Sequence, residues 1–201
     1  AWSGNINTSN ATISSNTAGE DGGGVLCGNS AFNAIDTTIS LNTAGGGGGG
    51  VYAERGTFNA TETSIISNRA DLGGGGVYAW DGNINTSNAT ISSNTAGEDG
   101  GGAFCGNSAF NAIDTTISLN TADDGGGVCV EYGTFNAIDT AISLNTADVG
   151  GGVCVEKGNF NAIDTAILLN TANGGGGVNV PNSVFYATVT ALDAIKALIG
   201  G

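Results

Sequence analysis

The chain has 201 residues, of which 37 are Gly, 1 is Pro and none is Met or His. Its formal charge is −14 with only four basic residues, Arg55, Arg69, Lys157 and Lys196, so no basic patch can form to neutralise nucleic-acid phosphates or anionic lipid. Clustered glycines exclude collagen, and a 40% hydrophobic content recurring at fixed places excludes simple disorder.

The chain begins at Ala1 without a signal peptide, as expected of a processed or excised product, and holds no run of 18 apolar residues. Its first residues, A-W-S-G, match A-W-D-G at Ala79–Gly82 and are expected to be the last turn of a preceding coil. A bare parallel edge at that end would be a template for pairing, either with more of a longer chain or with a second copy.

From there a repeat runs through the chain. The residues that open each unit are Ile6, Phe32, Phe58, Ile84, Phe110, Phe135, Phe160 and Phe185, spaced by 26 and then by 25. Asn16, Asn42, Asn68, Asn94, Asn120, Asn145 and Asn170 keep step, as do Val25, Val51, Val77, Ala103, Val128, Val153 and Val178. Asn94 to Ala103 is nine positions and Asn120 to Val128 is eight, so the lost residue falls between Asn120 and Val128, in the Gly-rich corner, where loop length changes most easily. Residues 4–24 recur unchanged at 82–102, three units later, as duplication of a three-unit block would give.

Each unit predicts three short strands: F-N-A, then T-x-I-S-x-N, then V-x-V after the glycines. Alternation turns Val25 and Cys27, Val51 and Ala53, and Val128 and Val130 inward. It turns Leu26, Tyr52, Tyr78, Phe104, Cys129, Cys154 and Asn179 outward. A 26-residue unit cannot bury its apolar side alone, so the units stack as coils with parallel ladders about 4.8 Å apart. The expected fold is all-β, a single-stranded parallel β-helix (β-solenoid) of about seven coils of 25–26 residues, some 34 Å long at ~4.8 Å per coil. The coils are expected to occupy residues 1–183, with a cap at 184–201. Within that cap Leu192, Ile195, Leu198 and Ile199 have helical spacing, Thr190 and Asp193 suit a capping box, and Gly200-Gly201 suits a stop. A short amphipathic helix over Thr190–Ile199 is therefore predicted.

The segments Ile39-Ser-Leu-Asn42 and Ile117-Ser-Leu-Asn120, with Gly49-Gly50-Val51-Tyr52 and Gly75-Gly76-Val77-Tyr78, resemble the paired F-x-x-N and G-G-A-I motifs of polymorphic outer-membrane protein and autotransporter passenger repeats. Ile stands here for Phe, and Val for Ala-Ile. The resemblance covers residues 5–180. It implies a right-handed β-helix presented outside the cell, often adhesive.

Candidate sites follow from the columns. Asn16, Asn42, Asn68, Asn94, Asn120, Asn145 and Asn170 predict a structural ladder. Asn7, Asn33, Asn59, Asn85, Asn111, Asn136 and Asn161 predict an outward ladder open to glycan or water. Cys129 and Cys154 share a position in adjacent coils, so their Cα atoms should lie ~4.8 Å apart, within disulfide range. Cys27 and Cys105 are three coils apart and should be buried fillers. Asp21, Asp99, Asp123 and Asp124 precede Gly corners and are the candidates for calcium; no other cofactor is expected. Sequons occur at Asn7, Asn10, Asn59, Asn85 and Asn88.

Without His, neither a Ser-His-Asp nor a Cys-His arrangement exists, and Gly45–Gly50 lacks the G-K-[ST] of a phosphate loop. The chain is expected not to be an enzyme. The expected role is an extracellular or cell-surface structural and adhesive solenoid, stacking end to end through its open N-terminal coil and holding a glycan or host-surface ligand, with no nucleic-acid partner and no membrane insertion. Two alternatives stand. A polysaccharide lyase or hydrolase would use the column Asp36, Glu62, Asp114, Asp139 and Asp164, aligned with Asn10 and Asn88. An ice-binding face would use Thr37, Thr63, Thr115, Thr140 and Thr165, interrupted by Ala11 and Ala89.

Overall fold

Four residues per coil take left-handed backbone, and these bend the chain into a closed path. In the second coil they are Asp36 (φ 46°), Leu41 (φ 56°), Gly48 (φ 66°) and Arg55 (φ 50°). Between them run the strands Ala31–Ile35, Thr38–Ser40, Thr43–Ala44 and Val51–Glu54. The predicted T-x-I-S-x-N strand is thus two strands, broken at the Leu41 type of position; Ser15, Ser67, Ser93, Leu119, Leu144 and Leu169 break it likewise in other coils. The reason is steric: an L-residue at positive φ cannot continue a strand.

The computed structural model, which describes residues 4–188 and 191–192, is an all-β parallel solenoid of about seven coils. Equivalent strands pair in parallel and in register: Phe32 on Ile6 and Phe58, Ile39 on Ile13 and Ile65, Val51 on Val25 and Val77. The first, second and fourth strands of each coil build sheets A, B and D of 8, 8 and 7 strands; the short third strands form sheet C in pieces of 4 and 2. Sheet C breaks where the coil shortens. There the Asp123 and Asp124 N–H groups both donate to the Glu98 carbonyl, which places the lost residue in the glycine corner as expected.

Like falls on like in the interior. Phe110, Phe135, Phe160 and Phe185 stack at 4.9–5.0 Å, and Phe32 lies 5.2 Å from Phe58. Ile39, Ile65, Ile91, Ile117, Ile142 and Ile167 are wholly buried beside them. Each such Ile or Phe side chain contributes about 1.5–3 kcal/mol by burial. The Asn42 type of residue closes the corner after sheet B. Asn94 Oδ1 accepts from Asn68 N (2.9 Å) and Asn68 Nδ2 (3.0 Å), while Asn94 Nδ2 donates to the Ile65 carbonyl (2.9 Å) and to Asn120 Oδ1 (3.1 Å). Every buried side-chain polar atom among the described residues has a partner, so hydrogen bonds offset the desolvation of the polar column.

At the C-terminal end the expected cap opens with strands. Val184–Thr188 pairs with Asn159–Ile163, and Ala191–Leu192 pairs with Ala166–Ile167. Thus Ala191 and Leu192, expected in the helix, continue sheet B. Leu192 stands 25 residues after Ile167 and takes its place in the column, so coil register prevails over helical spacing there. The rest of the predicted helix, Thr190 and Asp193–Ile199, lies outside the described residues. Among the described residues there is no helix, and hence none long and apolar enough to cross a membrane.

Candidate functional site

In sheet D the residue between the two inward positions points away from the core. This column runs Leu26, Tyr52, Tyr78, Phe104, Cys129, Cys154, Asn179. Its direction is as the alternation predicts, but its solvation is not. Phe104, Cys129 and Cys154 are only 4%, 3% and 1% exposed. They form a second apolar cluster with Tyr78, Trp80 and Val149. Trp80 lies parallel to Phe104 at 6.4 Å, and the segment leading to the glycine corner supplies Val149, so the column is covered from both sides.

Tyr52, Tyr78 and Phe104 form a ring stack, with centroids 4.9 and 4.7 Å apart and interplanar angles of 3° and 18°. Their faces cover one another, and their edges border a cleft of about 220 Å³ that Asp21, Gly47, Leu72, Gly73, Glu98 and Asp99 also line. A neighbouring hollow of about 310 Å³ continues past Tyr52 to Glu20, Leu26 and Glu54. The glycines here meet specific demands. A Cβ on Gly46 would lie 2.3 Å from Asp21 Oδ1, and one on Gly47 3.0 Å from the Tyr78 ring. Gly47 N–H donates to Asp21 Oδ1 at 2.8 Å. The run Gly45–Gly50 is therefore in part the wall that admits a ring and a carboxylate.

The cleft is negative and uncompensated. Partial burial and then the Asp124 carboxylate stacked one coil below push Asp99 up to about 6, with Glu131, Glu98 and Glu156 adding to the effect. Asp124 is raised as well, by burial and by Glu156, Asp123 and Asp148. Burial, then the neighbouring Tyr52 and the carboxylates of Asp21, Glu131 and Asp99, raise the Tyr78 hydroxyl above its ordinary value. None of the cations of the described residues pairs with Asp21, Glu98 or Asp99. Arg55 pairs with Glu54 at 3.7 Å, Arg69 with Asp71, and Lys157 Nζ donates to Tyr132 Oη at 2.9 Å.

The other predicted columns divide. The outward Asn ladder is continuous from Asn7 to Asn161, each Nδ2 donating to the Oδ1 of the preceding coil at 2.7–2.8 Å. Its donors point opposite to those of the inner ladder, where Asn42 Nδ2 donates forward to Asn68 Oδ1. The threonine column is not a face at all: Thr37, Thr63, Thr115, Thr140 and Thr165 are buried. Each Oγ1 donates to the carbonyl two residues earlier, as Thr63 does to Thr61 at 2.9 Å, so the hydroxyl is satisfied inside. The column of Asp36, Glu62, Asp114, Asp139 and Asp164, with Asn10 and Asn88, is a line of left-handed corners at φ 46–50°, a conformation that Asn and Asp tolerate best among non-Gly residues.

Of the calcium candidates, Asp99 and Asp124 stack on each other, Asp123 adjoins them, and Asp21 stands three coils away. No group of three or more His, Cys, Asp or Glu among the described residues is arranged to hold a metal ion. Cys129 and Cys154 are in register on adjacent strands as free thiols. The hydrogen bond between them, with burial, holds the Cys129 thiol well above its ordinary value, and Asn179 Nδ2 reaches Cys154 Sγ at 3.6 Å. Cys27 and Cys105 are buried in the core.

Residues 36–54 match the family model for the Chlamydia polymorphic membrane protein repeat. The coil is similar to that repeat. Neither a curated protein nor a solved structure matches the chain. The matched stretch of the polymorphic-membrane-protein type contains the parts that stacking constrains most. Ile39 fills the core and its carbonyl accepts from Asn68 Nδ2; Asn42 sits in the inner ladder. Gly49 has backbone on two sides, since an added Cβ would lie 2.4 Å from the carbonyl oxygens of both Arg69 and Gly75.

Proposed function

We propose that the protein is a non-catalytic β-solenoid, wound right-handed and displayed outside the cell or at its surface, whose outer faces are adhesive and whose coils stack end to end. The observation that carries this reading is the repetition of one coil surface. Residues 82–102 stack in register on the coil before them, and residues 4–24 have the identical sequence. The first coil therefore has the side chains needed to accept another coil above it. The polymorphic-membrane-protein match supports a surface location, and the general preference of parallel crossovers supports the right hand. The carboxylate column of the lyase or hydrolase alternative doubles as a backbone corner in every coil, and the threonine face of the ice-binding alternative is inside.

Negative-stain microscopy of the purified protein tests assembly: fibres one coil wide are expected, and strictly monodisperse particles at all concentrations would refute it. Beads coated with the protein test adhesion. They should bind cultured cells more than albumin-coated beads do, and equal binding would refute the adhesive role.

A further inference from the structure

The aromatic cleft has its parts in a fixed order along the rod. Because residues 82–102 copy residues 4–24, the pair Glu20-Asp21 at one end is matched by Glu98-Asp99 three coils later. In the two coils between, the same positions are Gly46-Gly47 and Leu72-Gly73, so no carboxylate interrupts the path. The half-buried Tyr52 and Tyr78 form the floor, and Phe104, stacked on Tyr78 and only 4% exposed, closes its far end. At ~4.8 Å per coil, the two acidic pairs are about 14 Å apart.

This geometry has a natural complement. An extended peptide rises ~3.4 Å per residue, so four residues cover about 14 Å, and residues four apart point to the same side. Arg and Lys can lay their aliphatic stems along ring edges while their charged heads meet carboxylates. Charge complementarity favours such an occupant over a neutral sugar. Asp21, Glu98 and Asp99 have no ion pair among the described residues, and a cation beside Asp99 would relieve the repulsion it meets from Asp124, Glu131, Glu98 and Glu156.

We infer that the cleft docks a basic segment of another protein in extended conformation, with two Arg or Lys side chains four residues apart. One meets Glu20 and Asp21, the other Glu98 and Asp99, and the intervening residues cross the rings. The inference gives the adhesive reading a class of partner and rests on that reading for its setting. The two fail separately, because docking is measured on the purified protein in solution and adhesion on cells.

The test is calorimetric titration at about 0.15 M ionic strength, where the Debye length is about 8 Å, with the peptide Arg-Gly-Ser-Gly-Arg and its isomer Arg-Arg-Gly-Ser-Gly. The spaced peptide should bind about tenfold tighter, as ~1.4 kcal/mol for placing the second charge implies. Asp21→Asn keeps the acceptor for Gly47 N–H, and it and Asp99→Asn should each weaken the spaced peptide about tenfold, for loss of one desolvated charge contact. Asp139→Asn removes the same charge at a remote corner and should change binding less than about twofold, as expected beyond a Debye length. Equal affinity for the two isomers, equal effects of the three substitutions, or no binding would each overturn the inference. Melting curves on every variant ensure that a loss of binding is not a loss of fold.

Discussion

Replacing Asn94 by Ala measures what the inner ladder contributes. Asn94 is fully buried. Its removal strands two buried donors, the Asn68 N–H (2.9 Å) and one hydrogen of Asn68 Nδ2 (3.0 Å), and takes a second donor from the Ile65 carbonyl (2.9 Å), which stays in the sheet B ladder. Asn120 Oδ1 keeps the Asn94 backbone N–H, so it is not orphaned. At about 1 kcal/mol or more for each stranded group, the expected cost is about 2 kcal/mol or more, a sizeable share of the ~5–15 kcal/mol that folded domains possess. Asn85 in the same coil is the internal control. It too makes two ladder bonds, to Asn59 and from Asn111, both 2.8 Å, but it is only part-buried. Water can replace its partners, so Asn85→Ala should cost about 1 kcal/mol. Urea denaturation followed by circular dichroism reads both midpoints. Amide exchange should quicken in the coils around Asn94 and not near Asn161, because a solenoid couples only neighbours. If Asn94→Ala and Asn85→Ala destabilise equally, burial is not what gives the inner ladder its strength.

Gly49→Ala should cost more than about 2 kcal/mol, since its Cβ would meet two backbone oxygens at 2.4 Å that cannot move independently. Gly174→Ala, whose nearest contact would be Val149 Cγ2 at 3.9 Å, should be neutral within about 0.5 kcal/mol; thermal melts that rank the two the other way would refute the packing argument. A mild oxidant should join Cys129 to Cys154 and leave Cys27 and Cys105 reduced. Peptide mapping reads the link, and full alkylation of all four thiols after treatment would exclude it. Asp99 is raised from 3.8 to about 6 in the fold, so the folded state binds its proton more tightly than the unfolded state does. Its stabilising contribution is complete below pH 3.8 and is lost as pH rises through about 6. The melting temperature should therefore rise from pH 7 to pH 5, and Asp99→Asn should raise it at pH 7 and flatten the slope; an unchanged slope would show that other carboxylates dominate.

The coil and its register were legible because stacking writes the same residue at the same interval. Phe32 sits on Phe58, and Asn42 on Asn68, with no reference to the path between them. The corners were less legible. Asn10, Asp36 and Asn88 are residue types that favour left-handed backbone, so that signal was present, though a column of carboxylates also reads as chemistry. Leu41, Leu119 and Leu144 carry no such signal, and the strand they break seemed continuous. Each break also resets the alternation of sides. That is why Thr37 and its equivalents, counted as outward, are inside. The covering of Phe104, Cys129 and Cys154 depends on the segment through the glycine corner, where no periodicity reports the path.

The cleft marks where such a repeat is free to differ. A residue facing the interior must fit its equals above and below, so change there is costly in several coils at once. The outer column of sheet D escapes this rule and runs through aliphatic, aromatic, thiol and amide side chains in seven coils. The duplicated block makes the point within one chain. After identity from 4–24 to 82–102, the first differences are Val25 against Ala103 and Leu26 against Phe104. The copied acid pair therefore stands beside Leu26 in one coil and beside Phe104 in the other, where the ring extends the stack begun by Tyr52 and Tyr78. One coil later the corner loses a residue and the column turns to Cys129. The aromatic floor thus ends where the backbone beside it changes length, as expected if the corner and the outer column act together as a recognition surface while the interior only holds them in register.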